Sequence, residues 1–260
     1  MTKKIFLLIL MFTLTFSALR AQQSDLFMPH ELQEAYEEGT RSYSGAPGKQ
    51  YFQNTANYDI DARFDPETGI LEGEETIRYR NNSPDTLENM VLRVYMNIFQ
   101  KGVARDFNVG PSDLHDGVEI ENLTINGRKI NSPGGPQLNS DRGANYMIQL
   151  LNPIFPGNQA KISLKWKVQL PTEVTIRMGR YGKDNWFVAY WYPRVAVYDD
   201  IMGWDTHPFK GSAEFNNDFC DYDVELTIPG ENMVWATGIL QNPGQHYQRD
   251  VLERIEKAKE

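Results

Sequence analysis

From Tyr51 onward the chain runs in short alternations of apolar and polar residues. Over residues 58–64, Tyr58, Ile60, Ala62 and Phe64 share one face and Asp59, Asp61 and Arg63 the other. That period of two predicts a strand with one wet side. Residues 65–69 (DPETG) supply turn chemistry, and a second run over 70–80 returns, so the pair reads as a hairpin. Residues 81–85 (NNSPD) form the next turn and 90–96 the next strand. Further strands are expected at 118–125, 128–130, 146–150, 160–169, 186–190, 221–228 and 233–237. Strands recurring roughly every 10 to 20 residues with little helix between them predict an all-β fold of antiparallel sheets, not βαβ units. No internal repeat or low-complexity tract interrupts the pattern.

Two segments depart from it. Residues 29–38 (PHELQEAYEE) predict one short helix, with Pro29 near its start and Gly39 closing it. Residues 42–48 are rich in Ser, Gly and Pro and predict an extended connector. At the other end, 248–260 (QRDVLERIEKAKE) form helix, with Val251, Leu252 and Ile255 on one face and no Gly or Pro terminator. This tail reads either as a fraying last helix or as the start of a further helical segment.

The first 21 residues have the layout of a cleaved secretory signal: Lys3 and Lys4, an apolar run over 5–16, then the small-residue stretch ending at Ala21. The run is about 12 residues, short of the roughly 20 needed to cross a bilayer. Export to the periplasm or outside the cell is therefore expected, with no membrane span after cleavage. Loss of Lys3, Lys4 and Arg20 would take the net charge from −9 to −12. An acidic surface of this kind argues against nucleic acid and anionic lipid as partners. Cys220 is the only cysteine, so no intramolecular disulfide forms and stability rests on the core.

No complete catalytic or metal site is legible. The zinc motif H-E-x-x-H places two imidazoles one turn apart around a glutamate base. Here His30-Glu31-Leu32-Gln33-Glu34 has a Glu where the second His is needed. His115, His207 and His246 have no partner at ligand spacing, and structural or surface roles are the better reading. Cys220 has no His placed locally to activate it and reads as a buried structural thiol. No nucleophile elbow, phosphate-binding loop or dinucleotide fingerprint occurs. Paired carboxylates for glycosidic chemistry stay open, because their separation is a three-dimensional matter. The densest chemistry lies in residues 186–208 (WFVAYWYPRVAVYDDIMGWDTHP), with three Trp, three Tyr, three Asp and Arg194. Such a mixture suits a binding surface. It equally suits a core strand followed by a packed loop whose Asp199, Asp200 and Asp205 cap turns, which composition alone favours.

The same stretch carries a resemblance. Tyr192-Pro193-Arg194-Val195-Ala196-Val197-Tyr198-Asp199-Asp200, Gly203-Trp204-Asp205, the run 221–229 (DYDVELTIP) and the run 236–243 (ATGILQNP) resemble the N-terminal domain of aminopeptidase-N-like zinc metallopeptidases, the gluzincins that include leukotriene hydrolase. Residues 47–64 and 177–180 are similar to the bacterial branch of that family. The resemblance spans about Gly39 to Pro243. It implies a lead-in helix and linker over 22–50, a saddle-shaped, sandwich-like antiparallel β domain over 51–243, and a tail over 244–260 that begins a helical segment. It also implies that the zinc, its ligands and the peptide-cleaving chemistry belong to a C-terminal catalytic domain that these 260 residues do not contain. The partners implied are that domain and a peptide substrate; no cofactor is expected in this chain. In the family a Gln or Glu shortly before the Tyr-Pro-Arg turn holds the substrate's free amine, and the matching position here is Tyr190. A phenol accepts a hydrogen bond from an ammonium or offers its ring face, without the charge of a Glu. Tyr190, Trp191 and Arg194 are the substrate-binding candidates. The domain alone is expected to be inactive and to expose an apolar face. The competing expectation is a free-standing secreted module that binds a peptide or glycan through the same aromatics, Trp191 and Trp204 among them.

Overall fold

The computed structural model describes residues 27–131, 137–140, 143–173 and 177–258. The signal-like segment 1–21 lies outside them. The chain divides into two compact units, one of residues 27–52 with Asp199–Gly203 and one of Gln53–Tyr198 with the residues from Trp204 onward.

In the smaller unit the expected helix is present as α1 (His30–Glu37). It ends where Gly39 turns into the left-handed region (φ 76°), after which the amides of Thr40 and Arg41 donate to Ala35 O. Residues 42–48 do not run extended. They fold back through a bridge between Arg41 and Pro47, and Gly48 N donates to Thr40 O. A Cβ at Gly48 would sit 2.0 Å from Gly39 O, so only glycine allows this crossing. Arg41 Nε donates to Asp200 Oδ2 at 2.8 Å, and the Thr40 hydroxyl donates to the same oxygen. Asp200 was expected to cap a turn. Asp199, expected to do the same, does cap one, accepting from the amides of Ile201 and Met202, while hydrogen bonding to Arg41 pulls the Asp200 carboxyl below its usual range.

The larger unit holds the strands. The first eight are β1 (Thr55–Asp65), β2 (Ile70–Arg80), β3 (Leu87–Arg93), β4 (Glu119–Ile125), a two-residue β5 (Arg128–Lys129), β6 (Gln137–Ser140), β7 (Asn145–Ile154) and β8 (Gln159–Gln169). Short pieces follow: β9 (Gly179–Tyr181), β10 (Asn185–Phe187), β11 (Arg194–Val195), β12 (Tyr198–Asp199) and β13 (Gly203–Trp204), then β14 (Asp221–Thr227). One sheet has six strands in the order β14-β1-β2-β8-β4-β5, and a second has four in the order β11-β3-β7-β6. Tyr58, Ile60, Ile77 and Trp166 from the first sheet and Met90, Leu92 and Ile148 from the second belong to one buried cluster. The fold is thus all-β and sandwich-like, with the two inner faces sharing a core. Two short helices, α2 (Pro243–His246) and α3 (Arg249–Lys257), follow β14, and neither has a buried residue.

Local chemistry explains the β1–β2 hairpin. Asp65 Oδ1 accepts from the Glu67 amide, the Thr68 hydroxyl donates to Asp65 Oδ2, and Gly69 takes φ 70°. The next turn is buried and networked. Asn81 is fully buried, its Nδ2 donates to the carbonyls of Asp85 (2.7 Å) and Ile154 (3.0 Å), and its Oδ1 accepts from the Ser83 amide and hydroxyl. Fully buried Asn54 adds bonds to Tyr79 Oη and to the amides of Asn82 and Ser83. We expect Asn81→Ala to lower unfolding free energy by about 3 kcal/mol in urea denaturation, because two carbonyls and a hydroxyl lose their partners inside the fold. A loss under about 1 kcal/mol would mean that these groups find other partners cheaply.

Three strand expectations changed. The run 90–96 is strand only to Arg93; Tyr95–Phe99 winds into a tight 3-10 turn buried throughout. A run that is apolar at every position but Arg93 does not distinguish these states by period, and Asn97 fixes the turn by accepting from the Val118 amide and donating to Gly143 O. Residues 233–237 form no strand, since they find no ladder partner among the described residues and lie exposed. Finally, β14 pairs with β1 in parallel, Tyr58 opposite Tyr222. More than a tight turn separates the two in sequence, so nothing forces the antiparallel sense.

Candidate functional site

The aromatic stretch forms neither a buried strand nor a free loop. Trp186, Val188, Tyr190, Trp191, Tyr192, Tyr198 and Trp204 are all half-buried and packed against the core from one side. β10 covers only Asn185–Phe187, and residues 188–193 form no strand, making an irregular ledge packed against the core.

Tyr190 is the strained point of this ledge. Its φ is 38°, a region that costs a non-glycine residue of order 1 kcal/mol or more and persists only where packing fixes it. The fixing groups are Tyr95, Phe209 and Phe215, whose ring centroids lie 6.5, 5.6 and 5.9 Å away, all edge-on. Burial pushes the Tyr190 phenol up to about 12, so it is neutral at physiological pH and acts by hydrogen bond or ring face. Trp191 meets Trp166 of β8 at 5.6 Å and Tyr192 at 5.0 Å. Tyr192 in turn lies edge-on to Tyr58 and Tyr222, which stack on each other at 4.9 Å. The three sequence candidates thus belong to one ledge, Tyr190 on one aromatic group and Trp191 on the next. Arg194 follows in β11, where it pairs across to Arg93 of β3, and the Val195 amide donates to Tyr58 Oη at 3.0 Å.

Arg194 brings in a residue that the pattern reading passed over. Glu75 on β2 is 3% exposed, and neither carboxyl oxygen has a hydrogen-bond partner among the described residues. Burial drives its pKa well above the carboxylate range, and the Arg194 charge opposes that shift without reversing it. Burial thus favours the protonated form of Glu75, which can donate one hydrogen bond. Its signal was in the sequence: it has the same parity as Leu71, Ile77 and Tyr79, a lone acid in an apolar row. Trp166 stands opposite Gly73, one same-face position from Glu75, and its buried Nε1 likewise has no partner among the described residues. Arg93 was also missed. Only 2% exposed, it donates to the carbonyls of Asp205 and His207 and lies 5.1 Å above the Tyr95 ring.

The remaining candidates are scattered. His30 is exposed beside Glu34, His246 is exposed in α2, and His207 lies 3.2 Å from Asp205, which also accepts from the His207 amide as a turn cap. His115 accepts at Nδ1 from the Gly117 amide, and burial lowers its pKa. Cys220 is half-buried, not buried, and burial raises its thiol pKa, which keeps it protonated and a poor nucleophile. Among the described residues no three His, Cys, Asp or Glu side chains converge to hold a metal ion, and no helix is long and apolar enough to cross a membrane.

Fold and ledge together define an all-β, sandwich-like domain with a half-buried cluster of aromatic residues and Arg194 packed against its core. Comparison with protein-family models and with curated proteins gives no match. Among solved structures the chain is similar to an M1 zinc metallopeptidase variant from Deinococcus radiodurans bound to a Tyr-Ser-Ala substrate, at 13% identity and a TM-score of 0.40 over 76% of this chain and 38% of that one. It is similar too to an M1 zinc metallopeptidase from the same organism (14% identity, TM-score 0.39, 74% and 36% covered). A two-domain M1 zinc metallopeptidase variant bound to L-tryptophan gives 14% identity and a TM-score of 0.38, with 76% and 39% covered. The chain spans about two-fifths of the length of these structures.

Proposed function

We propose that this chain is the non-catalytic N-terminal β domain of an exported, aminopeptidase-N-like zinc metallopeptidase, an enzyme class that releases N-terminal residues from peptides. In this reading the domain caps and shapes the substrate cleft of a catalytic domain that carries the zinc. The supporting observation is the strained, half-buried Tyr190 ahead of the Tyr192-Pro193-Arg194 turn. The family resemblance puts the amine-holding residue at this position, and a side chain held at positive φ by three rings is organised before any ligand arrives. Tyr190 would meet the substrate's ammonium through its ring or hydroxyl, with Trp191 and Arg194 lining the same edge. The signal-like residues 1–21 support export, with cleavage after Ala21.

The test is direct. Protein purified from the exported fraction should begin at Gln22 by mass spectrometry. It should carry no stoichiometric zinc and should not cleave aminoacyl-arylamides. Combined with a zinc-carrying catalytic domain that bears H-E-x-x-H, it should raise peptide turnover, and Tyr190→Ala should raise KM about tenfold, the loss of roughly 1.4 kcal/mol of ammonium binding. Stoichiometric zinc with turnover by the chain alone would overturn the proposal.

A further inference from the structure

β14 is the outer strand of the six-stranded sheet, and β1 is its only ladder partner among the described residues. All seven of its residues are exposed. Its backbone amides and carbonyls on the far side therefore face outward in a row, the arrangement that lets another strand add to a sheet.

Its two faces differ. Tyr222, Val224 and Leu226 stand in register with Tyr58, Ile60 and Ala62, which are in the core. Yet these three β14 residues remain 43, 40 and 39% exposed, so the apolar face of the sheet extends one strand beyond its cover. On the opposite face Asp223 lies across from Asp59 and Glu225 from Asp61, like charges directly paired. None of these four carboxylates has an ion pair among the described residues, whereas Glu74 on neighbouring β2 has Lys165 at 2.7 Å.

We propose that β14 is a docking edge for an extended polypeptide strand in which apolar residues alternate with Lys or Arg. The apolar set would continue the row of Tyr222, Val224 and Leu226. The basic set would stand beside Asp221, Asp223 and Glu225 and relieve the repulsion already present across β1 and β14. Charge also says what does not fit. A second copy paired antiparallel about Val224 sets Asp223 against Glu225, and the neighbouring even register sets Asp223 against itself. Odd registers put apolar residues against acids. The two registers that overlap most of β14 thus oppose like charges in a second copy, whereas a basic strand meets the acids with opposite charge. The inference does not rest on the peptidase reading: it concerns the outer backbone edge of β14, although Tyr222 also meets Tyr192 of the ledge.

The probe is a short synthetic peptide alternating Val and Lys, compared with one alternating Val and Glu and with a Val–Lys peptide N-methylated on one edge. The Val–Lys peptide is expected to bind the purified protein at least about tenfold tighter than the Val–Glu peptide, to weaken with added salt and to slow hydrogen exchange at the β14 amides. The exposed double substitution Asp223→Lys with Glu225→Lys should reverse the preference. Equal affinity for the two peptides, undiminished binding of the N-methylated one, or a homodimer by sedimentation that excludes the peptide would each overturn the proposal.

Discussion

As pH rises above the range of ordinary carboxylates the native protein is expected to lose stability, and replacing Glu75 by Gln is expected to abolish that fall. Burial raises the folded-state pKa of Glu75 well above normal, while the unfolded chain releases the same proton near pH 4.3. Below that value both states hold the proton and the stabilising contribution is complete. Between the two values the folded state binds more protons than the unfolded one, so stability declines by about 1.4 kcal/mol per pH unit until the folded group also ionises. Asp200, pulled down by Arg41, slopes the opposite way and at lower pH. Subtracting the Glu75→Gln curve from the native curve removes it. Urea midpoints taken from pH 4 to pH 8 would give the difference. A flat difference would mean that Glu75 is ionised in the fold and that Arg194 outweighs burial.

The second large effect concerns the support beneath the ledge. Trp166 is 2% exposed, fills the space beside Gly73 and carries Trp191 on its other side. Trp166→Ala should cost about 3–5 kcal/mol, the range for deleting a buried aromatic. The neighbouring backbone is held by β2 and by β4 along the ladder, so the cavity collapses poorly. Trp166→Phe should recover much of the loss. A cost under about 1 kcal/mol, with Trp191 fluorescence unchanged, would show that the ledge does not rest on this side chain.

These two residues mark the limits of what pattern alone conveys. The β1–β2 hairpin was legible because alternation and the DPETG turn agree, each a local property of a few neighbouring residues. The helix before Gly39 was legible for the same reason. The break after Arg93 was not, because 90–96 carries apolar residues of both parities around Arg93 and the winding of Tyr95–Phe99 is decided by what Asn97 reaches from Val118 and Gly143. The expected strand at 233–237 had the right side chains and no neighbour, and a strand without a ladder is not a stable element.

The ledge was partly legible. Composition picked out 186–208, and the resemblance narrowed it to Tyr190, Trp191 and Arg194. Neither contained Glu75 or Arg93, which lie on other strands, about a hundred residues away in sequence from Arg194. Tyr190's positive φ was equally out of reach, since no local turn residue announces it and three distant rings impose it.

By itself, then, the sequence determined the all-β class, the hairpin, the first helix and the acidic balance, because period, turn chemistry and charge are read from neighbours along the chain. Tertiary structure decided which strands pair and in which sense. It also decided that Glu75 and Arg194 share one interior and that the apolar row of β14 is left uncovered. Burial and register are sums over residues far apart in sequence, and only the folded chain performs those sums.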